Sequence, residues 1–491
     1  MELGSILQFL EHRSILVTGA TGFLAKIFTE KILRVQPNVK KLYLLLRASD
    51  THLAMLRFNN EILEKELFKV LKEKNGANLS TLIEEKVKVV AGDITFEKLG
   101  VKDLSLWEEM LTEIDVVVNL AATTNFDERY DVSLGTNTLG TKHVLNFSKK
   151  LKKLKILVHV STAYVYGERE GLILETPCVM GETLNGTHGL DIDAEKELVE
   201  ETLKQFKVDN LDEDSVKSAM KDLGLLRARK FGWPNTYVFT KAMGEMLLGQ
   251  SKENIPLLII RPTIVTSTYK EPFPGWVEGV RTIDSLAVEY GKGKITCFLG
   301  DLTSVVDVIP ADMVVNAIIV AMVAHADQAN ESVYHVGSSM SNPVKSAWLQ
   351  SYGQRHFTSH PWIDSNGSPV VVGNVTVFNT MKSFQRYMTL RYLLPLKGLQ
   401  ILNTACCQYF QKRYLEQSRK IKFVLRLIDL YAPYLFFKAF YDDMNTEKLR
   451  RAVDESGLET EMFYFDPKII NWDDYFMNTH IPGIVKRVFK N

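Results

Sequence analysis

The sequence predicts an α/β fold in which a doubly wound parallel sheet is followed by a smaller, mainly helical domain. Three observations lead to this prediction. Short aliphatic runs alternate with helical stretches through the first half of the chain, as in parallel sheets that are covered by helices on both faces. The first aliphatic run leads directly into a glycine-rich turn. From about residue 376 onward the chain is largely helical and the alternation ends.

Each predicted strand is a short aliphatic run that ends in a turn. Two longer segments, Gly167–Pro234 and Glu271–Gly300, interrupt the alternation after strand ends, where substrate-binding elements are expected. We therefore predict a first domain over residues 1–375 and a second over residues 376–491. The predicted strands are Ser14–Val17, Lys41–Leu46, Val87–Val90, Val116–Leu120, Ile156–Val160 and Leu257–Ile260, and the predicted helices include Phe23–Val35 and Leu139–Lys149.

The composition is that of a soluble globular protein, since 46% of the 491 residues are hydrophobic and 24% are charged. Lys plus Arg equals Asp plus Glu at 59 each, which gives no indication of a nucleic-acid partner. No apolar run is long enough to span a membrane, and Met313–Ala326 is predicted to be a buried helix. Neither a cleavable leader nor a plastid transit peptide is expected.

The four cysteines, Cys178, Cys297, Cys406 and Cys407, have no metal-binding spacing. We therefore expect no metal site. A chain of this size does not need disulfides, and this favours a reducing compartment.

The turn after the first strand has the spacing of a dinucleotide-binding loop. Its glycine positions give the pattern G-x-x-G-x-x-A, which ends at Ala25. Glycine permits a tight turn and lets backbone N–H groups approach a pyrophosphate at the start of the following helix. A plain strand-to-helix turn is the alternative. The predicted contacts of this Rossmann-type turn with a cofactor are Gly19, Thr21, Gly22, Phe23 and Leu24.

The ends of three further strands supply other predicted cofactor contacts. Arg47 follows the second strand, where an acidic residue would bind the ribose of NAD and an arginine accommodates the 2′-phosphate of NADP. This position predicts NADPH, with a solvated arginine as the alternative. Lys40 and Lys41 are expected to add positive charge nearby. Asp93, after the third strand, is expected to accept from the adenine amino group, and Ala121 follows the fourth strand.

Tyr237 and Lys241 are the predicted catalytic pair. Residues four positions apart lie on one face of a helix. The lysine charge lowers the cost of forming a phenolate at Tyr237, so the phenol can give its proton to a carbonyl oxygen. Ser161 and Thr162 follow the fifth strand, and Thr162 is predicted to be the catalytic hydroxyl. Separately, each of these residues has a structural alternative, but their order along the chain favours catalysis.

These motifs together resemble an extended short-chain dehydrogenase/reductase, and more narrowly a plant-type, alcohol-forming fatty acyl-CoA reductase. The resemblance covers nearly the full chain, including a C-terminal block that is similar to the second domain of that family. The motifs that carry it are Thr18–Ala25, Leu44–Arg47, Asn119–Tyr130, Gly232–Lys241, Glu271–Trp276 and Asp466–Tyr475.

The resemblance implies reduction of a long-chain fatty acyl-CoA to a primary alcohol with two NADPH, as in wax, cutin or suberin lipid synthesis. It also implies association with the cytosolic face of the endoplasmic reticulum membrane, with the cytoplasm as the alternative. The apolar run Ile421–Phe437 has three charged residues on one helical face. Either it packs against the protein, or it forms an acyl-chain tunnel or a membrane-surface contact.

Two other functions stay open on these residues. A sugar-nucleotide epimerase or dehydratase, or a hydroxysteroid dehydrogenase, would share the first domain but would not need residues 376–491. A non-catalytic NADP-binding scaffold would be expected to have lost Tyr237 or Lys241, and both are present.

Overall fold

The computed structural model describes residues 3–280, 282–295, 297–364, 366–457 and 459–488. Its central element is a seven-stranded parallel sheet. The strands are β1 (Ser14–Thr18), β2 (Lys41–Leu46), β3 (Val87–Ala91), β4 (Val116–Asn119), β5 (Ile156–Val160), β6 (Leu257–Pro262) and β7 (Glu331–Val336). Their order across the sheet is β3-β2-β1-β4-β5-β6-β7.

This sheet confirms the predicted fold class and the six predicted strands. The seventh strand, β7, was not predicted, because its sequence Glu-Ser-Val-Tyr-His-Val lacks a continuous aliphatic run. The strand order reverses between β1 and β4, and a reversal of this kind opens a ligand crevice at the carboxyl ends of the two strands. Every residue of β1, β4, β5 and β6 is buried, as expected for a sheet with both faces covered.

Helices cover this sheet and make up most of the remaining structure. Ala311–His325 is almost entirely buried, which confirms the buried helix predicted there. Within the described residues the α-helices are α1 (Ile6–Leu10), α2 (Phe23–Val35), α3 (Thr51–Phe58), α4 (Lys69–Asn75), α5 (Leu79–Lys86), α6 (Leu104–Glu113), α7 (Tyr130–Ser133), α8 (Gly140–Ser148), α9 (Ile192–Val208), α10 (Glu213–Lys230), α11 (Thr236–Ser251), α12 (Thr282–Gly291), α13 (Ala311–His325), α14 (Ser346–Ser359), α15 (Met381–Met388), α16 (Leu394–Ala405), α17 (Gln411–Leu435), α18 (Met444–Ser456), α19 (Trp472–Asp474) and α20 (Ile481–Val488).

Other strands of the described chain are two to three residues long and lie outside the main sheet. They are Gly171–Ile173, Ile264–Thr266, Cys297–Leu299, Val305–Val306, Val308–Pro310, Val344–Lys345, Thr376–Phe378 and Ala439–Tyr441.

The chain divides into two compact units, and neither is continuous in sequence. Unit 1 comprises Met1–Gly279, Asp307–Pro343 and Phe440–Asn491, and it contains the whole main sheet. Unit 2 comprises Val280–Val306 and Val344–Ala439. This division differs from the predicted boundary after residue 375, because the last fifty residues belong with the sheet and the segment from Val344 belongs with the helices.

The last segment joins unit 1 through the edge strand β7. Thr446 donates from Oγ1 to the carbonyl of His335 at 2.6 Å, and Asn445 donates from Nδ2 to the carbonyl of Val333 at 3.1 Å. The amide of His335 donates to the Glu175 carboxylate at 2.8 Å. Backbone groups on the open edge of the sheet therefore find partners outside it.

Candidate active site

The turn after β1 needs glycine at Gly19 for two reasons. Its φ is +64°, which lies in the left-handed region, and an added Cβ would lie 2.6 Å from the Cα of Ala121. The amide of Gly22 donates to the carbonyl of Gly19 at 2.8 Å, and Gly22 then caps α2 without a side-chain hydrogen bond. The predicted cofactor residues Gly19, Gly22 and Ala121 are thus brought together where a pyrophosphate fits at a helix N-terminus.

The other predicted residues of this turn lie at the same helix start. Thr21, Phe23 and Leu24 are half-buried. The ring of Phe23 stacks on Trp276, with centroids 5.1 Å apart and an interplanar angle of 25°. The aromatic segment Glu271–Trp276, which belongs to a segment predicted to bind substrate, therefore reaches the turn after β1.

Arg47 and Asp93 meet at the carboxyl ends of β2 and β3. Nε of Arg47 lies 2.9 Å from Oδ2 of Asp93, and the arginine side chain is 64% exposed. Asp93 also accepts from the amide and the hydroxyl of Thr95, both at 2.9 Å. The two residues that were predicted to bind separate parts of a cofactor form one ion pair.

The prediction that Lys40 and Lys41 add positive charge near Arg47 is wrong. Lys41 begins β2 and Arg47 follows its last residue, so the two lysines lie at the opposite end of a six-residue strand, roughly 20 Å away. Lys40 instead pairs with Glu113. The nearer cation is Arg57, which the sequence did not indicate, and its Nη1 donates to the carbonyl of Arg47 at 2.6 Å.

Tyr237 and Lys241 lie in the first turns of α11, whose N-terminus is capped by Asn235. Tyr237 is half-buried, and its ring stacks on Phe126 with centroids 5.6 Å apart. Lys241 is 1% exposed and donates from Nζ to the carbonyl of Val160 at 2.8 Å. Burial lowers the pKa of Lys241 from 10.5 to about 8, against the opposing effect of the Glu245 charge.

Two hydroxyls follow β5 beside this lysine contact. The amide of Tyr164 donates to Oγ1 of Thr162 at 3.4 Å, a long and weak hydrogen bond. Ser161 is 6% exposed, and among the described residues its Oγ has no hydrogen-bond partner. A buried hydroxyl without a hydrogen-bond partner costs free energy of folding. Ser161 is therefore, like Thr162, a hydroxyl that can form a hydrogen bond with a ligand.

Comparison with known proteins gives the family. Two models described as male sterility protein match the chain, a NAD-binding model over residues 17–318 and a second model over residues 391–491. An alcohol-forming fatty acyl-CoA reductase of Simmondsia chinensis is 61% identical over 489 residues, which cover 99% of both chains. Fatty acyl-CoA reductase 1 of Arabidopsis thaliana is 53% identical and covers 98% of this chain and 99% of its own.

The chain belongs to the fatty acyl-CoA reductase family. This confirms the resemblance stated from the motifs, and it favours a reductase over the sugar-nucleotide and scaffold alternatives. The terminal reductase domain of the myxalamid biosynthetic pathway has a TM-score of 0.58 and 16% identity, and covers 98% of this chain and 92% of its own. A similarity at that identity shows the fold alone.

Sequence reasoning missed a row of buried polar groups that connects the end of β1 to α11, the helix of the predicted catalytic pair. Oγ1 of Thr18 donates to Oδ1 of Asn119 at 2.6 Å, and Nδ2 of Asn119 lies 3.0 Å from Nδ1 of His159. Nε2 of His159 lies 3.2 Å from Nζ of Lys241. All four residues are at most 1% exposed. The sequence feature that could have predicted this row is a polar residue at or next to the carboxyl end of three aliphatic strands: Thr18 in β1, Asn119 in β4 and His159 in β5.

A second polar group fixes α11 against the preceding segment. Asn137 accepts from the amide of Thr123 at 3.0 Å and donates to Oγ1 of Thr240 at the same distance. A Cβ at Gly244 would lie 2.4 Å from the carbonyl oxygen of Asn137, so only glycine allows this approach. The predicted catalytic pair, Tyr237 and Lys241, therefore lies on a helix that packs closely against the segment around Asn137.

Within the described residues, no group of three or more His, Cys, Asp or Glu side chains is arranged to hold a metal ion. In that same part of the chain, none of the helices combines the length and the apolar character that crossing a bilayer requires.

Proposed function

We propose that this reductase converts a long-chain fatty acyl-CoA to the primary alcohol, with Tyr237 as the proton donor. The whole-chain identity of 61% to an alcohol-forming fatty acyl-CoA reductase carries the proposal. Overall, one acyl-CoA, two NADPH and two protons give one alcohol, free coenzyme A and two NADP⁺. The synthesis of wax, cutin or suberin lipids would consume such alcohols.

NADPH is the proposed cofactor, and when bound it supplies the hydride. Gly19, Gly22 and the start of α2 would hold its pyrophosphate, because the turn leaves no room for a side chain and the helix N-terminus is free of a side-chain cap. Arg47 supports the preference for NADPH, since an exposed guanidinium at the end of β2 suits a 2′-phosphate. Asp93 beside it would accept a hydrogen bond from the adenine amino group.

The residues around Tyr237 have separate tasks in each reduction. Lys241 keeps a positive charge beside the phenol, which lowers the cost of the phenolate left when the proton moves. Thr162 donates a hydrogen bond to the oxygen on which negative charge develops, and Ser161 is placed to do the same. In the first reduction, collapse of the tetrahedral thioester adduct expels the coenzyme A thiolate. In the second, Tyr237 protonates the aldehyde oxygen as the alcohol forms.

The test is a product analysis. Purified full-length protein is incubated with NADPH or NADH and a series of acyl-CoA chain lengths, and the products are identified by mass spectrometry. We expect primary alcohol with NADPH and at least about tenfold less with NADH. Aldehyde as the final product would contradict the second reduction, and turnover of a sugar nucleotide instead would contradict the proposal as a whole.

We also infer that the protein associates with the cytosolic face of the endoplasmic reticulum membrane. The resemblance to the plant-type enzymes supports this location, and long-chain acyl-CoA substrates partition to membranes. A fluorescent fusion should coincide with an endoplasmic reticulum marker and sediment with membranes. A fusion that stays in the cytoplasmic fraction would contradict the inference.

A further inference from the structure

Positive charge is concentrated in one part of unit 2. The whole chain has a formal net charge of zero, but residues 381–438 contain eleven basic and two acidic side chains, a net charge of +9. The acidic residues are Glu416 and Asp429. The basic residues are Lys382, Arg386, Arg391, Lys397, Lys412, Arg413, Arg419, Lys420, Lys422, Arg426 and Lys438.

The same region exposes large apolar side chains. Ile401 on α16 is 70% exposed, Phe423 on α17 is 64% exposed, and Tyr409 between the two helices is 82% exposed. Leu394 and Leu402 are also more than a third exposed. Apolar side chains in such number on one pair of helices suggest a surface that meets an apolar medium.

Helices α16 and α17 form a hairpin, here called the basic hairpin, with the turn Cys406–Phe410 at its tip. Nδ2 of Asn403 donates to Oε1 of Gln411 at 2.7 Å, and the amide of Gln408 donates to the carbonyl of Asn403 at 2.8 Å. These bonds join the two helices at the turn. Both cysteines of the turn are exposed.

One face of α17 packs inward and another faces solvent. Leu425 and Ile428 pack against an apolar cluster centred on Leu299, Phe384 and Met388. That packing accounts for much of the Ile421–Phe437 run, so ordinary packing is the better interpretation of its inner face. Phe423 and Val424 point away from the cluster and are exposed. A membrane-surface contact is therefore possible only for the outer face of the basic hairpin.

A shallow groove on the outer face of α17 is lined by Lys412, Leu415, Glu416, Arg419 and Lys420. Its one carboxylate, on Glu416, is paired with Lys420 at 2.7 Å. The groove therefore keeps an excess of two positive charges next to an exposed leucine.

We propose that the basic hairpin is the surface on which this protein docks to an anionic lipid bilayer. The proposal rests on the membrane association inferred above and assigns it to these residues. A nucleic acid or an acidic protein would match the charge but not the exposed aliphatic side chains. An apolar partner would leave the hairpin's seven basic side chains, and its net charge of +5 over residues 394–435, unmatched. Anionic headgroups above acyl chains match both features, since Lys and Arg stay among the headgroups while Leu, Ile and Phe enter the apolar layer.

Vesicle sedimentation with full-length protein tests the proposal. The wild-type protein should bind phosphatidylcholine vesicles that contain phosphatidylserine, and should bind pure phosphatidylcholine vesicles at least about tenfold more weakly. High salt should weaken the binding because it screens the headgroup charge. A triple variant, Lys412→Glu, Arg419→Glu and Lys420→Glu, should lower the affinity for anionic vesicles by about 100-fold or more.

Two further variants separate the basic hairpin from a general charge effect. Ile401→Ser with Phe423→Ser removes apolar side chains that are already exposed, and should lower the affinity about tenfold while the charge is unchanged. Lys204→Glu, Lys207→Glu and Lys217→Glu, on exposed positions of α9 and α10, change the charge by the same amount as the triple variant. They should leave vesicle binding within about twofold of wild type.

The results distinguish this proposal from the proposed activity. Hairpin variants that bind anionic vesicles as the wild type does, or control variants that lose binding equally, would overturn the docking surface even if the enzyme reduces acyl-CoA. Reduction of a long-chain acyl-CoA dispersed in a non-ionic detergent, in the absence of vesicles, should be unchanged in all of these variants. Failure of the wild type in that assay would refute the proposed activity without touching the docking result.

The row of buried polar groups contains Thr18, Asn119, His159 and Lys241. We infer that His159 is a positioning residue, which holds the Lys241 amino group beside the end of β5. The imidazole can accept from the ammonium form of the lysine or donate to its amine form. The Asn119 amide carries both a donor and an acceptor, so it can meet either tautomer of His159.

Two substitutions of His159 test this role. His159→Phe keeps a planar ring and removes the hydrogen bond, so the charged form of Lys241 loses a partner. We expect the alkaline limb of the kcat/KM profile to move to lower pH by about one unit and the rate at neutral pH to fall about tenfold. His159→Asn retains a polar group and should restore part of both effects.

A purely structural role for His159 predicts a different result. In that case His159→Phe would lower the thermal transition and the yield of folded enzyme, while the pH profile of the folded fraction stayed at the wild-type position. That outcome, or equal behaviour of the Phe and Asn variants, would overturn the inference.

Discussion

The carboxyl end of the main sheet and the basic hairpin place charged groups in opposite ways. At the sheet, Lys241 is almost fully buried and contacts His159 and the carbonyl of Val160 at defined distances. On the hairpin, Lys412 and Arg419 are exposed to solvent on a helix surface. Burial makes the effect of one charge large and dependent on position, whereas exposed charges are screened and act as a sum.

This comparison leads to different sensitivities in the two regions. A single substitution at the sheet should change the chemistry by orders of magnitude. A single substitution on the hairpin should change the affinity for anionic vesicles by only about fivefold, because its neighbours supply the same charge.

The largest effect is expected at Tyr237. Tyr237→Phe removes only the hydroxyl, so turnover should fall by a factor on the order of 100 or more while NADPH binding persists. The matched control is Tyr409→Phe, which makes the same change on the exposed tip of the hairpin and should leave turnover of a soluble acyl-CoA unchanged. Near-normal turnover of the Tyr237 variant would remove the proton-donor assignment.

The next effect is a pH dependence set by Lys241. Its pKa in the folded protein is lowered to about 8 by burial, and the role proposed for Lys241 requires its charged form. Therefore kcat/KM should fall about tenfold per pH unit above pH 8. Lys241→Ala should lower both rate and NADPH affinity, and its residual rate should lack this alkaline limb. An unchanged limb in the variant would assign it to another group.

Stability should respond to the same group in the opposite direction. Between pH 8 and 10.5 the unfolded chain keeps a proton on Lys241 that the folded chain has lost, so this group makes the folded state more stable as pH rises through that range. Chemical denaturation of wild type and Lys241→Met over this range isolates the contribution. A greater gain with pH in the variant than in the wild type would contradict it.

A smaller effect is expected at Arg47. Arg47→Asp should reduce the preference for NADPH over NADH, since a charge-assisted hydrogen bond contributes roughly 1.5–3 kcal/mol, or about 10- to 150-fold. Lys40→Asp makes the same charge change at the far end of β2 and should leave the preference unchanged. If Arg47→Asp has no effect, Arg57 is the next cation to test.

The smallest effect is expected from the cysteines. The half-buried Cys178 and Cys297 have pKa values that burial raises above the ordinary thiol value, so neither is a ready thiolate nucleophile. Replacing all four cysteines with Ala should leave an active enzyme that has lost about 1–3 kcal/mol of stability at most. Activity lost in one single variant, with an acyl group trapped on that cysteine in the wild type, would refute direct reduction of the thioester.

The sequence predicted the parts of the molecule in which local pattern and structure coincide. Continuous aliphatic runs predicted six strands, and the spacing of Gly19 and Gly22 predicted the turn after β1. The relation of Tyr237 to Lys241 needed only the helical repeat. Each of these features is decided within a few residues along the chain.

What the sequence did not predict depends on contacts between distant segments. His159 and Asn119 look like ordinary polar residues until β4 and β5 are placed side by side. Lys40 and Arg47 are close in sequence but lie at opposite ends of one strand, and Asp93 pairs with Arg47 only because β2 and β3 are neighbours. The chain after Val344 is mainly helical, and helical periodicity does not tell which unit a helix packs against.

Asn445 and Thr446 cover the open edge of β7, and this has a consequence for biosynthesis. A ribosome releases the chain from its N-terminus, so β7 emerges well before Asn445 and Thr446, the residues that occupy its open edge. At about 5–20 residues per second, the intervening stretch of roughly 110 residues takes about 5–20 s to translate. During that time the sheet presents an edge on which the carbonyls of Val333 and His335 lack these partners. The start of α18 therefore acts late in synthesis, when it covers a strand edge on which neighbouring nascent chains would otherwise pair.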